Sequence, residues 1–394
     1  MWFASKSRRS QAALLTLGIA SATAAQASPE RWDPTVVREF SLARIRTSTR
    51  SSDFNLPLRP EVVWRVRVAS AVPFAPTPTS DGSVVLGLAT PVVAEYDARG
   101  RLLWTARLGA SNAATSLIVL GDGARMVLTQ AGEAISFSPR GQVLRRHSLP
   151  LPALEAPPLV APTPDGGMFI AAGRRVLQLD ASLGVVATAR ADQDVRAILP
   201  APSRSLIVLA NGNVLELARN GGWRRVASFN ARVDAAVRRG DDSVLALVDG
   251  RRLVELNVAT QLPTTHFAET DVEFSPLLVQ NTPRGLRLMS NLDFVFAFGD
   301  DSREVFRVAL PSANAATRAT LRELTFDDVG ATLIARSGVD LVAVHADGAL
   351  QRVEGTACTE PLSPVGAAPG YAVFACRSGI LMGIAERAVT GKAK

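Results

Sequence analysis

Lysine is almost missing from this chain: of its 43 basic residues only Lys6, Lys392 and Lys394 are lysines, and all the others are arginines. The arginines are scattered among 36 acidic residues rather than gathered into runs. The formal charge of +7 therefore reads as an interspersed surface, not as a nucleic-acid footprint. Histidine is nearly as scarce, with His147, His266 and His345 far apart, and cysteine is confined to Cys358 and Cys376. Long apolar runs are absent beyond the first thirty or so residues, which excludes a later membrane-spanning helix, and no long stretch carries the apolar period of an amphipathic helix. The 47% of hydrophobic residues is globular and excludes a disordered chain.

The N-terminus has the order of a signal peptide. Lys6, Arg8 and Arg9 form a basic region, Ala12–Ala20 an apolar one, and Ala25 and Ala27 stand at small-residue positions before a cut ahead of Ser28. The apolar run is too short to span about 30 Å of hydrocarbon. No cysteine stands near the cut, so a lipid anchor has no attachment atom. The expectation is a signal peptide over 1–27, a polar leader over 28–60 and a periplasmic or secreted mature chain, whose formal charge falls to +4 once the three leader bases are removed. In that oxidising setting Cys358 and Cys376, near the join of the last two repeats, are expected to form a disulfide bond.

The informative feature is a repeat. The clearest copy runs from Phe74 to Leu108 and a second from Leu159 to Ala191; five weaker copies keep the same order of short apolar strands and turns. The turn positions Gly100, Gly141, Gly184, Gly222, Thr260, Ser302, Gly348 and Gly391 are spaced by 38 to 46 residues, the length of a four-stranded propeller blade. The strands are rich in Val, Leu and Ile.

The last repeat stops after its turn without a fourth strand, while Glu61–Ala69 is an orphan strand ahead of the first full repeat, and its Trp64 matches Trp104. Pairing the two ends removes both open edges. The expectation for 61–394 is an all-β, eight-bladed β-propeller closed by its N-terminal strand. Seven blades is the alternative if the irregular segment 318–328 holds no inner strand.

The segment YDARGRLLW resembles the repeat of the pyrroloquinoline-quinone-type β-propellers, with its Ala-x-Asp-like turn and a Trp on the outer strand. LDASLG at Leu179–Gly184 is similar, with Thr188 where the Trp would fall, and so is Ala385–Lys392, which Trp64 completes after closure. The resemblance implies that Trp64, Trp104 and Trp223 dock neighbouring blades, each indole N–H meeting a turn carbonyl. It covers 61–394 and spans two functional classes. Some members are quinone-dependent dehydrogenases; others carry no cofactor, among them a lipoprotein subunit of the outer-membrane β-barrel assembly machinery that acts as a docking scaffold.

The enzyme pattern is not met. Adjacent cysteines are absent, and the mature chain has four Trp, most of them placed for docking. The three His are dispersed over different repeats, where a metal site needs convergence. Asp241–Asp242 and Asp300–Asp301 lack the spacing of a calcium loop and read as turns. Asp327–Asp328 is a carboxylate pair that a neighbouring inner strand would aim at the channel. No catalytic, cofactor or metal site is assigned. The expectation is a non-catalytic scaffold whose partner is another envelope protein, with glycan or small-ligand binding as the alternative and quinone-dependent oxidation a third reading.

Overall fold

The computed structural model describes residues 60–268 except 73–75, 80, 110–113, 121, 155–157, 164, 203 and 218–221. Beyond these it describes 280–281, 287–290, 294–299, 303–309, 324–326, 332–337, 340–345, 348–353, 366–368, 371–376 and 379–386. The expected signal peptide, residues 28–59, Asp300–Asp301, Ser302, Asp327–Asp328 and Gly391 lie outside the described residues.

Every regular element described is a β-strand. The thirty-two strands, β1–β32 in chain order, hydrogen-bond into eight four-stranded antiparallel sheets. Seven sheets each use four consecutive strands. The eighth is split: β30 (Gly366–Ala368), β31 (Tyr371–Cys376) and β32 (Ile380–Glu386) are completed by β1 (Pro60–Arg67), so the two ends of the ring share one sheet. The ladder runs from Pro60 opposite Glu386 to Arg67 opposite Ile380. The irregular segment near residue 324 does hold a strand, β26 (Leu324–Phe326), paired with β27 (Thr332–Ser337).

Middle strands such as β3 (Val84–Gly87) and β7 (Arg125–Thr129) are buried at every position, because a neighbouring sheet covers each face. Outer strands such as β5 (Leu102–Arg107) and β13 (Val185–Arg190) alternate instead, since one face meets solvent. The sheets follow one another around a circuit. Val85 and Val93 of the first pack on Val127 and Ile135 of the second, Met126 on Met168 of the third, and Ile207 on Phe169 between the third and fourth. Val214 reaches Val244, and Leu245 reaches Phe296. Phe306 faces Gly348, Val353 packs on Phe374, and Val373 on Val84 returns the circuit to the first sheet.

Two turn positions shift by one residue. Gly100 and Gly141 hold positive φ as expected, but in the third sheet Leu183 (φ 67°), not Gly184, takes that conformation, and in the fifth Gln261 (φ 60°), not Thr260. The hydrogen bonds agree: Gly100 N–H donates to Asp97 O and Gly141 N–H to Ser138 O, and Leu183 N–H makes the same bond to Asp180 O. The third turn is no longer than the first: Asp180–Gly184 closes as Asp97–Arg101 does, so Gly184 stands where Arg101 does. In that equal-length register Ala187, opposite Gln178, occupies the place of Trp104, opposite Glu95, and Thr188 does not.

The cysteine expectation is corrected. Cys376 is fully buried in β31 and is not a free thiol, but Cys358 lies outside the described residues, so no bonded pair is described and a disulfide is not counted among the bonds that hold this sheet. An oxidising compartment permits such a bond without supplying its geometry.

Candidate interaction surface

The buried polar side chains gather into two knots, one between sheets and one within a sheet. Glu95, on β4 (Val92–Tyr96), is 1% exposed and takes Arg125 of β7 in a bidentate pair at 2.6 and 2.9 Å, with Ser83 Oγ donating to the same carboxylate. A buried Arg–carboxylate fork costs desolvation and repays it only when geometry is good; here it ties the first sheet to the second. Asp81 beside it is held below its ordinary 3.8: burial pushes it up, and hydrogen bonds from Thr79 and Ser83 with the nearby Arg125 charge outweigh that. A second polar knot lies within the fifth sheet, centred on β20 (Arg252–Asn257). Glu255 accepts from Ser243 and Arg239 and contacts His266 Nε2 at 2.7 Å. Its carboxyl lies below 4.5, since burial raises it less than these three partners lower it.

The three tryptophans divide. Trp104 on β5 stacks on Phe137 at 6.0 Å, and its Nε1–H donates to Pro139 O at 3.1 Å in the next sheet's turn. The ring lies so close to Gly141 that a Cβ there would stand 2.5 Å from it. Trp64 takes the same register position on β1, packing on Gly100 of the next turn and across Gly383. Its N–H, however, meets no acceptor, and neither does that of Trp223. Trp223 opens β17 (Trp223–Ser228) two strand positions early and packs on the preceding sheet, beside Leu215 and Leu217. Arg145, on β9 (Val143–Ser148), occupies the Trp104 position in the second sheet and donates to Ala181 O at 3.4 Å, a cation replacing an indole in one slot. Phe306 on β25 (Glu304–Ala309) fills it in the sixth.

The histidines fall in three sheets, on β9, on β21 (Leu262–Ala268) and on β28 (Asp340–His345). Asp242 pairs with Arg204, and the Asp241 carbonyl accepts from Arg238. Among the described residues no three His, Cys, Asp or Glu side chains gather to hold a metal ion, and no helix is long and apolar enough to cross a membrane.

What remains exposed is patterned. The exposed large hydrophobics among the described residues are Val63, Leu102, Leu103, Val143, Leu144, Val185, Val186, Leu262, Val305 and Leu350. All ten stand on outer strands, the last on β29 (Leu350–Arg352). The backbone explains the adjacent pairs. Five outer strands carry a β-bulge at one equivalent place, and the extra residue is Val63, Leu103, Leu144, Val186 or Val305. A bulge turns two consecutive side chains toward the same side. Hydrophobic alternation alone would have assigned one of each pair to the core; the bulge had no signal in the sequence beyond the doubled aliphatics themselves.

No family model matches the sequence, and no curated protein matches it. Solved structures do. BamB from Moraxella catarrhalis is 14% identical, with a TM-score of 0.59, covering 84% of this chain and 98% of that one. Virginiamycin B lyase from Staphylococcus aureus is 8% identical at a TM-score of 0.53, covering 84% and 100%. The computationally designed protein Ika8 is 14% identical at 0.63, covering 81% and 98%. At these identities the likeness is one of fold, shared by a lyase and a designed protein alike, and it singles out no pyrroloquinoline-quinone-type family.

Proposed function

We propose that this chain is an exported, eight-bladed β-propeller that works as a non-catalytic protein-docking module of the cell envelope. The observation that carries the reading is the confinement of every exposed large hydrophobic described to the outer strands. Aliphatic side chains set out at repeated positions on a rigid ring mark a surface that a partner covers. The carboxylates that could have served chemistry, Glu95 and Glu255, are instead engaged by arginines, Arg125 from the next sheet and Arg239 from the same sheet. The signal-peptide order of residues 1–27 supports export, and the scaffold members of the family that the repeats resemble support docking.

The test is co-purification of the tagged chain from its exporting cell without crosslinker, beside a variant carrying Leu103→Ser and Leu144→Ser. The expected result is one stoichiometric protein partner that the variant loses. Retention of a glycan with no protein partner would favour the ligand-binding alternative. A partner held equally by the variant would remove the outer strands from the reading.

A further inference from the structure

Among the described residues, each outer strand has one edge paired within its sheet and one edge with no strand beyond it, since it is terminal in the sheet order. Such an edge offers a row of backbone N–H and C=O groups. Four of these strands belong to sheets that follow one another in the circuit: β1, β5, β9 and β13. They share a polarity. The bulge end carries the aliphatics Val63, Leu102–Leu103, Val143–Leu144 and Val185–Val186. Toward the other end stand Arg65 and Arg67, Arg107, Arg145 and Arg146, and Arg190. The four strands hold six arginines and one acid, Glu61; Arg146 is paired with Glu133 and Arg145 donates to Ala181 O, while Arg107 and Arg190 stand at the far ends of β5 and β13.

Edge charges ordinarily protect a sheet against self-pairing, because identical edges repel. Arginine on all four edges therefore disfavours a second copy of this chain. The same charges attract an acidic strand, and the aliphatic pair gives that strand apolar contacts at the bulge. We infer that the arc β1–β5–β9–β13 accepts an extended polypeptide segment of alternating aliphatic and acidic residues, added as a fifth strand to an outer edge. The inference rests on the docking-module reading and names the chemistry of its partner. Main-chain hydrogen bonds would supply affinity and the alternate side chains selectivity.

The probe is a short capped peptide alternating valine and glutamate, fluorescently labelled, titrated into the full chain by anisotropy. Its controls are the same peptide N-methylated along one edge and a version with lysine for glutamate. Binding of the parent peptide, weakened about tenfold or more by N-methylation, by lysine, and by the chain variant Leu103→Ser, Leu144→Ser, Val186→Ser, is expected. Those three residues are about half exposed, so the variant keeps its fold, which its circular dichroism and thermal midpoint verify. Arg107→Glu with Arg190→Glu should reverse the preference toward the lysine peptide. Equal binding of the N-methylated peptide, an unchanged charge preference in the reversed variant, or no peptide binding would each overturn the inference. If the peptide fails while the co-purified partner is still lost on serine substitution, docking stands and strand addition falls. If both fail, the docking reading falls as well.

Discussion

At residue scale the ring is joined by contacts between one outer strand and the next sheet's turn. Trp104 and Gly141 are the sharpest case, because the indole lies where a Cβ would go and the glycine already holds φ of 77°. Gly123 offers the comparison: its φ is 79°, yet its nearest neighbour is 3.8 Å from the would-be Cβ. Gly123→Ala should cost about 1–2 kcal/mol from the left-handed backbone alone. Gly141→Ala should cost about 1–3 kcal/mol more from crowding. Trp104→Ala should cost about 3 kcal/mol. In the Trp104→Ala background the excess cost of Gly141→Ala should vanish, read as a double-mutant cycle in urea unfolding. An excess that persists would place the crowding elsewhere.

Glu255 gives a pH dependence of known sign. Its folded carboxyl lies below 4.5, so the stability it contributes is fully present above about pH 4.5 and is lost as pH falls through the depressed folded value. Glu255→Gln should lower stability by about 1–2 kcal/mol at neutral pH and flatten the acid limb of the urea midpoint against pH. A variant whose acid limb runs parallel to the wild type would show that Glu255 does not contribute to it.

At the scale of elements, the closing strand was the most legible feature. Glu61–Ala69 had a Trp in step with Trp104 and a last repeat short of one strand, and β1 does pair with β32. Deleting residues up to Arg59 should leave the thermal midpoint unchanged. Deleting up to Ala69 removes Trp64 and seven ladder pairs, bares the β32 edge, and should lower the midpoint by on the order of 10 °C with aggregation. Equal midpoints for two monomeric proteins would mean that the ring closes without β1. Less legible was anything that depends on a one-residue slip. The left-handed position of the third turn falls on Leu183, a residue type that gives no turn signal, and aligning the turns on Gly184 instead hides the substitution of Ala187 for tryptophan. The arginine in the Trp104 slot of the second sheet was hidden for a related reason: Arg145 resembles tryptophan only in having an N–H at the right reach. The candidate surface escaped because bulges are set by backbone geometry, so Leu102–Leu103 reads in sequence as ordinary strand hydrophobicity.

At the scale of the whole molecule, one sheet built from both chain ends makes ring closure a matter of backbone pairing rather than of side-chain packing alone. Pro60 lies opposite Glu386, so a short linker can join the two and new ends can be opened elsewhere. Opening the exposed turn at Ser182 makes β13 the first strand, and the third sheet becomes the split one, closed again by the β12–β13 ladder, where β12 is Arg175–Leu179. Opening at Ala231, between β17 and β18 (Val233–Gly240), leaves every sheet continuous, so the fourth and fifth sheets meet without a ladder, through packing such as Val214 on Val244 and a few polar contacts such as Arg238 to Leu199 O. Both permutants keep the same residues and nearly the same contacts. The difference lies in what must break for the ring to open: a strand-to-strand ladder of backbone hydrogen bonds in the first case, apolar packing with a few isolated polar contacts in the second. The permutant opened at Ser182 should therefore melt close to the native chain and in one transition. The permutant opened at Ala231 should fold, melt lower, and show faster amide exchange in β14 (Val195–Leu199) through β20, the strands flanking its seam. Indistinguishable midpoints and exchange for the two permutants would mean that packing between sheets suffices to close the ring and that the shared terminal sheet adds nothing to its stability.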